Sequence, residues 1–418
     1  MTIIGIDDTD DRTAGMCTTY VGSHIADACK AAGGRVDRCL LIRLSPAAPH
    51  KTRGNAAVAI HTDLDTEDAV SVATPVVESL AVIDGGHAQP GLVVADSITA
   101  PVSTFSRRAV REVVPRSAAD DLLDQTDADV RTWNGGRGVI GALAAIGAWY
   151  GLDEWTYESI SYRTRDRWGS DRSVGAESVR AAADDGYPVI WDTIDGVTGD
   201  LVCIPRTPCP VLFGIRGDDP DTVRTTADAI QSEPVASRRL FVTNQGTDGH
   251  LHDARLASIA DGQAVRVQAT VAAPPETGPG GHVHLQLEDE DTRGRAVAFE
   301  PTKHFRAVVR ALRPGDEIIA CGEVGQGTIK LEKLAVRSLV THTERNPTCP
   351  SCGNSMASAG RNQGYRCRSC QTTAHDLERV ALDRDIDLGW YEVPPCARRH
   401  LAKPLIRGGF DGPVHPQR

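Results

Sequence analysis

The sequence predicts a multidomain α+β protein of four units, and three observations carry that expectation. The chain has 418 residues, more than one hydrophobic core ordinarily organises. Helix-like and strand-like apolar patterns alternate through the first 255 residues, and short strands then take over. Near the end, Cys349-x2-Cys352-x14-Cys367-x2-Cys370 has the spacing of a two-knuckle zinc ribbon.

Residues 1–130 make the first unit, of α/β type. A strand is expected at 2–6, where Thr-Ile-Ile-Gly-Ile is apolar and rich in β-branched residues. A helix at 17–32 stops at Gly33-Gly34. Strands at 36–44 and 56–61, a helix at 66–80 and a strand at 91–96 follow. The second unit, 131–255, opens at Trp133-Asn134-Gly135-Gly136-Arg137-Gly138 and runs into an apolar helix at 139–151. Strands are expected at 157–163, 188–193, 211–215 and 239–243, with a helix begun at 218–222. The third unit, 256–342, shows strands at 265–272, 282–287, 295–299, 317–324 and 328–336, and one helix at 304–312. Five strands with one helix resemble an oligonucleotide-binding (OB) β-barrel, though another small barrel or sandwich fits the pattern. The fourth unit, 343–418, is the zinc ribbon with a basic C-terminal tail.

The chain carries 56 acidic and 45 basic side chains, a net charge of -11. Lysine is scarce and aspartate outnumbers glutamate, which suits a high-salt cytoplasm. Such adaptation masks a local basic surface, so acidity does not exclude a nucleic-acid partner. No apolar run is long enough to span a bilayer, and a signal-peptide pattern is missing from the N-terminus. The expectation is a cytoplasmic protein with no membrane partner. Eleven cysteines, an odd total, argue for a metal site plus free thiols.

Four thiolates close the coordination shell of zinc, so the predicted Zn²⁺ is structural. Arg361, Arg366, Arg368, Arg379 and Arg384 lie near it, and Arg398, Arg399, His400, Lys403 and Arg407 follow. Beside an OB-type barrel these point to a nucleic-acid surface; a solvated charged face has the same composition. At the other end, Asp7-Asp8-Thr9-Asp10-Asp11 follows the first strand. Carboxylates there suit Mg²⁺, which takes one or two of them plus phosphate oxygens. An Asp-rich solvated turn fits equally. His50-Lys51-Thr52-Arg53-Gly54-Asn55 offers cations, a hydroxyl, an amide and a glycine for close backbone approach, which suits a polyphosphate. Ser103-Thr104-Phe105-Ser106-Arg107-Arg108 offers more of the same. Together with the aspartates these stretches favour a Mg-nucleotide site, although no Walker loop occurs. Gly135-Gly136-Arg137-Gly138 reads as a phosphate-binding helix start or a packing turn. Thr243-Asn244-Gln245-Gly246-Thr247-Asp248 reads as a binding loop or a simple turn. Hydrolase and dehydrogenase signatures are lacking.

Through nearly its whole length the chain resembles the archaeal tRNA(Ile) 2-agmatinylcytidine synthetase (TiaS) family. The carriers are GIDDTD (5–10), GMCTTY (15–20), KTRGNA (51–56), GRGVIGALAAIG (136–147), GIRG (214–217), TNQGTD (243–248), the four cysteines and ARRHLAKPL (397–405). The resemblance implies a threonine–cytidine kinase-like catalytic domain, a ferredoxin-like domain, an OB fold and a zinc ribbon. It implies a ligase that uses ATP to activate the wobble cytidine of the isoleucine tRNA with a CAU anticodon. Agmatine then replaces the C2 oxygen, giving agmatidine for AUA decoding. By the same resemblance Thr18 accepts a phosphate, Asp7, Asp8 and Asp10 hold Mg²⁺, and Lys51, Arg53, Gly54 and Asn55 stand near phosphates, with Arg107 and Arg108 assigned to the same site. Asp11 departs from the pattern, as a further ligand or as salt adaptation. The partners of agmatine stay open, with the ferredoxin-like domain and Asp248 as candidates. Two other functions compete: a non-catalytic single-stranded nucleic-acid-binding protein built on barrel and ribbon, and a small-molecule kinase.

Overall fold

The computed structural model describes residues 1–13, 15–51, 54–84, 87–290 and 292–418. The first 250 residues build one nine-stranded sheet. In chain order its elements are β1 (Thr2–Asp7), α1 (Thr18–Ala31), β2 (Val36–Arg43), β3 (Ala56–Thr62), α2 (Thr66–Leu80), β4 (Gly91–Ala95), α3 (Ala100–Arg111), α4 (Arg116–Leu123), β5 (Asp129–Thr132), α5 (Val139–Gly151), β6 (Thr156–Arg163), α6 (Ala176–Gly186), β7 (Ile190–Trp191), β8 (Val211–Gly217), α7 (Pro220–Ala229) and β9 (Val235–Thr243). The strand order is β5-β4-β1-β3-β2-β9-β6-β8-β7. The period of two in β1 explains its central place. Ile4 and Ile6 join the core under α1 and α2, whereas Ile3 joins the core under α3 and α5.

Two features of this sheet were not anticipated. β2 and β9 pair in parallel through Leu40↔Val242 and Leu41↔Thr243, so the first two units share a single sheet. The helix at 139–151 packs on β1, β3 and β4 of the first unit. Its glycines make that possible. Gly5 on β1 and Gly138 and Gly141 at the start of α5 face backbone or the Asp7 carboxylate so closely that no Cβ fits. Close packing is therefore a role of the Gly138 and Gly141 positions. The stretch 103–108 forms the middle of helix α3, and α6 emerges where no element was expected, its buried face being only valine, alanine and glycine.

The next strands are β10 (Leu251–Ala254), β11 (Ala264–Val271), β12 (Glu276–Thr277), β13 (Val283–Asp289), β14 (Thr292–Ala298), β15 (Glu317–Gly325) and β16 (Thr328–Ser338), with α8 (Phe305–Ala311) after β14. β11-β13-β14-β16-β15 closes on itself as a five-stranded barrel, since β15 pairs with both β16 and β11. Its interior holds Val265, Val267, Leu285, Leu287, Ile318 and Leu334, with Phe305 of α8 fully buried against them.

The ribbon comprises β17 (His342–Arg345), β18 (Ala357–Ser358), β19 (Tyr365–Arg366), β20 (Thr373–Ala374) and β21 (Glu378–Ala381). The chain then leaves it. β22 (Gly389–Glu392) adds to β16 of the barrel, and β23 (Val414–His415) adds to β22. Between and beyond them the last residues cross back to the second unit, where Gly196 donates its amide to the Arg418 carbonyl (2.6 Å). Among the described residues no helix is long and apolar enough to cross a membrane.

Candidate active site and metal centres

A cavity of about 450 Å³ lies where the carboxyl end of β1 meets β2, α5 and the second unit. It collects Asp7, Asp8, Asp10, Thr18, Lys51, Gly54 and Asn55. Arg53 lies outside the described residues. Arg107 and Arg108 are on α3 and do not line the cavity; Arg108 pairs with Glu112.

The aspartates differ in environment. Asp7 accepts the Asp8 amide (2.7 Å) and, among the described residues, forms no ion pair. Burial, then the neighbouring Asp8 charge, pushes its carboxyl well above the usual range. Asp8 has a left-handed backbone (φ 58°), which aspartate tolerates better than most residues. It pairs with Arg137 Nη2 at 2.7 Å. Burial raises its carboxyl, with Arg137 opposing. Asp10 lines the same space. Asp11 serves the turn itself: it accepts the Thr13 amide (2.8 Å), the Thr13 hydroxyl (2.7 Å) and the His87 amide (3.1 Å).

Thr18 is the first residue of α1, whose amino end has no side-chain cap and no acidic residue in its first turn. The Thr18 hydroxyl is buried and accepts from Thr9 Oγ1 at 3.1 Å. An uncapped helix start favours a negative group at this end of the cavity. Across the cavity, Lys51 donates to the Pro46 carbonyl and Asn55 Nδ2 to the Ser45 carbonyl (2.9 Å), which hold both ends of that loop. Burial, then Arg399, lowers the Lys51 ammonium from its usual range.

The second unit supplies residues that spacing did not reveal. Glu158 is buried and receives Arg216 Nε (3.2 Å) and Gln245 Nε2 (2.5 Å), with Arg43 Nη2 at 3.8 Å. Asn244 brackets the Arg43 backbone, accepting its amide (2.7 Å) and donating to its carbonyl (2.9 Å). The 243–248 loop is therefore a cross-link between β2 and the second unit. Asp248 lies outside the cavity lining. Both its oxygens hold Lys333 Nζ (2.9 and 2.7 Å), and the Lys403 amide donates to one of them (2.6 Å). Asp248 is thus committed to Lys333 and the Lys403 amide in this structure. His250 and Glu332 complete this buried cluster at 2.9 Å, and although burial opposes ionisation, His250 helps to hold Glu332 down at about 2.

The four cysteines converge. Cys349–Cys370, Cys352–Cys367 and Cys352–Cys370 sulfurs stand 3.3, 3.4 and 3.7 Å apart. Thiolates on a tetrahedral Zn²⁺ lie about 3.8 Å from one another, so the set fits that ion. Arg361, Arg366, Arg368 and Arg379 are exposed around the ribbon. Arg384, Arg398, Arg399, His400, Lys403 and Arg407 are not. Arg384 pairs with buried Asp316 (2.6 Å), Arg398 with Asp192 and Glu392, Arg399 with Glu323, Lys403 with Glu154, and Arg407 with Asp218. These ion pairs tie the tail to the barrel and the second unit, a role its run of cations could not reveal.

Residues 3–135 match the TiaS TCKD domain family, residues 136–250 the TiaS FLD domain family and residues 346–386 the TiaS C-terminal zinc ribbon domain family. The chain is 49% identical to the tRNA(Ile) 2-agmatinylcytidine synthetase TiaS of Haloquadratum walsbyi over 100% of both chains. It is 43% identical to that of Methanosarcina mazei over 97% of each. Its structure is similar to a solved complex of TiaS with its isoleucine tRNA and ATP, with a TM-score of 0.90, 38% identity, and 100% of this chain and 99% of that one covered. A complex of TiaS with the same tRNA, AMPCPP and agmatine is similar at a TM-score of 0.87 and 35% identity, over 100% and 99% of the two chains.

Proposed function

The chain belongs to the tRNA(Ile) 2-agmatinylcytidine synthetase family, and on that premise we propose that it joins agmatine to C2 of the wobble cytidine of the isoleucine tRNA bearing a CAU anticodon, using ATP. The product, agmatidine, lets the tRNA read AUA. The observation that carries this reading is the cavity, where aspartates, a helix-start hydroxyl and the Lys51–Asn55 loop face one space that the second unit closes. A non-catalytic nucleic-acid-binding protein would have no use for it.

The chemistry requires a poor electrophile to be activated. Phosphorylating the C2 oxygen of cytosine makes it leave as phosphate when the primary amine of agmatine attacks C2. Positioning and charge neutralisation dominate such phosphoryl transfer. The target base must also leave the anticodon stack to enter the cavity. Asp7 and Asp8, with Asp10, would hold Mg²⁺; the half-buried Asp7 carboxylate, which forms no ion pair among the described residues, is a donor suited to this hard cation. When bound, Mg²⁺ neutralises phosphate charge. Lys51, Gly54 and Asn55 face the nucleotide phosphates in this reading, Arg53 is assigned to the same role by its motif alone, and Thr18 is the hydroxyl that takes a phosphate. In this reading the first unit is the threonine–cytidine kinase-like domain, the second the ferredoxin-like domain, and barrel and zinc-loaded ribbon hold the RNA, in a cytoplasmic enzyme. The exposed ribbon arginines support that division.

The test incubates the zinc-loaded protein with ATP, labelled agmatine and the CAU-anticodon tRNA transcript. Label is expected on the RNA. Asp8→Asn is expected to abolish it while leaving tRNA binding near normal. A folded, zinc-loaded protein that transfers no label overturns the proposal.

A further inference from the structure

The C-terminal stretch inserts one side chain into the cavity. It is pinned on both sides of that residue. Arg398, with a side chain 2% exposed, pairs with Asp192 of the second unit and with Glu392 of β22 (2.9 Å). The Lys403 amide donates to Asp248 (2.6 Å). Between these pins His400 accepts the Gly246 amide on its carbonyl (2.8 Å), and its ring lines the cavity. The ring lies against Gly54. A Cβ there would stand 2.8 Å from His400 Cδ2, 2.9 Å from its Nε2 and 2.5 Å from Arg43 Nη1. Burial, with Arg43 and Arg216 nearby, pushes the imidazole pKa well below its ordinary value, so the ring is neutral near pH 7. Its Nδ1 is buried and has no hydrogen-bond partner among the described residues. The contact the ring makes on this wall is its packing against Gly54.

We propose that His400 is a positioning residue of the cavity: carried in by the C-terminal stretch, its ring is the wall against which Gly54 rests, beside Arg43, and it sets where Gly54 and Asn55 stand. Through β22 the same stretch belongs to the barrel sheet, so loop position is tied to the placement of the barrel. The consequence for ATP rests on the function proposed above; the packing does not.

Two measurements on the full-length protein test it. The first is hydrogen exchange without ligands. Peptides covering residues 44–56 are expected to exchange about threefold faster in His400→Ala, with barrel peptides unchanged and His400→Gln close to wild type. The second is steady-state kinetics. His400→Ala is expected to raise KM for ATP about tenfold while kcat changes less, and His400→Gln to restore most of the loss. Gly54→Ala forces a methyl group against the ring, so Gly54→Ala with His400→Ala should lose less than the product of the two single effects. Unchanged exchange at 44–56, or strictly multiplicative effects, overturns the proposal. If the wild-type protein transfers no agmatine, the functional reading falls, and the exchange comparison still decides the role of His400.

Discussion

Two charge-dense runs, the aspartate turn at residues 7–11 and the basic stretch at 397–407, look alike in the sequence. Each concentrates one sign of charge and each invites a ligand of the opposite sign. Their surroundings differ. In the turn, Asp7 is half-buried, forms no ion pair among the described residues and has its carboxyl pushed up by desolvation, while Asp8 leans on one arginine at the cavity wall. In the basic stretch, Arg398, Arg399, Lys403 and Arg407 each meet an acid contributed by another part of the chain. In the first run Asp7 keeps a carboxyl that a cation would hold; the second run has been neutralised by the fold. A run of like charge marks a site only where one of its members is left without a counter-charge.

The sharpest way to break this contrast is Asp7→Asn. Agmatine transfer is expected to fall about 10³-fold or more, read as label on tRNA. Stability of the ligand-free protein should move the other way. Because the folded pKa of Asp7 is raised, its contribution is fully present below the unfolded value near 4 and is lost as pH rises through the folded value. Urea melts from pH 4 to 8 should therefore show the variant gaining on wild type as pH rises, and a constant difference refutes the assignment. Arg398→Met tests the other run. It leaves Asp192 and Glu392 buried without their cation and is expected to cost about 3–5 kcal/mol in denaturant melts. If Arg398 contacted RNA instead, the change would appear in the salt dependence of tRNA binding. The smallest effect belongs to the ribbon. Arg366→Ala, at an exposed position, should lower the slope of log K against log salt by about 0.9 with no loss of stability.

Much of the fold was legible because it is written in local periodicity. The strand at β1, the helix at 66–80 and the five barrel strands follow from alternation and from helix-period apolar residues. The cysteine spacing announced the thiol cluster, since both knuckles are local. Helix α3 was obscured because its hydroxyls and arginines looked like phosphate equipment, although Val102, Phe105, Ala109 and Val110 form its buried face. Half of the candidate site was legible too, as Asp7, Asp8, Thr18 and Lys51 sit in short motifs. Arg43, Glu158, Arg216 and His400 were not, since each gains its meaning from a partner far away in the chain.

By itself, then, the sequence determined most of the strands and helices, the thiol cluster and the placing of carboxylates and hydroxyls after the first strand. The tertiary structure alone decided that the first two units share one sheet, that glycines let α5 lie on Asp7, and that the C-terminal cations bind units together while His400 reaches the cavity. The physical reason is range. Propensity and periodicity act over a few residues, whereas burial and Coulomb pairing act over a few ångströms, and only folding brings Arg43 beside Glu158 or Arg398 beside Asp192.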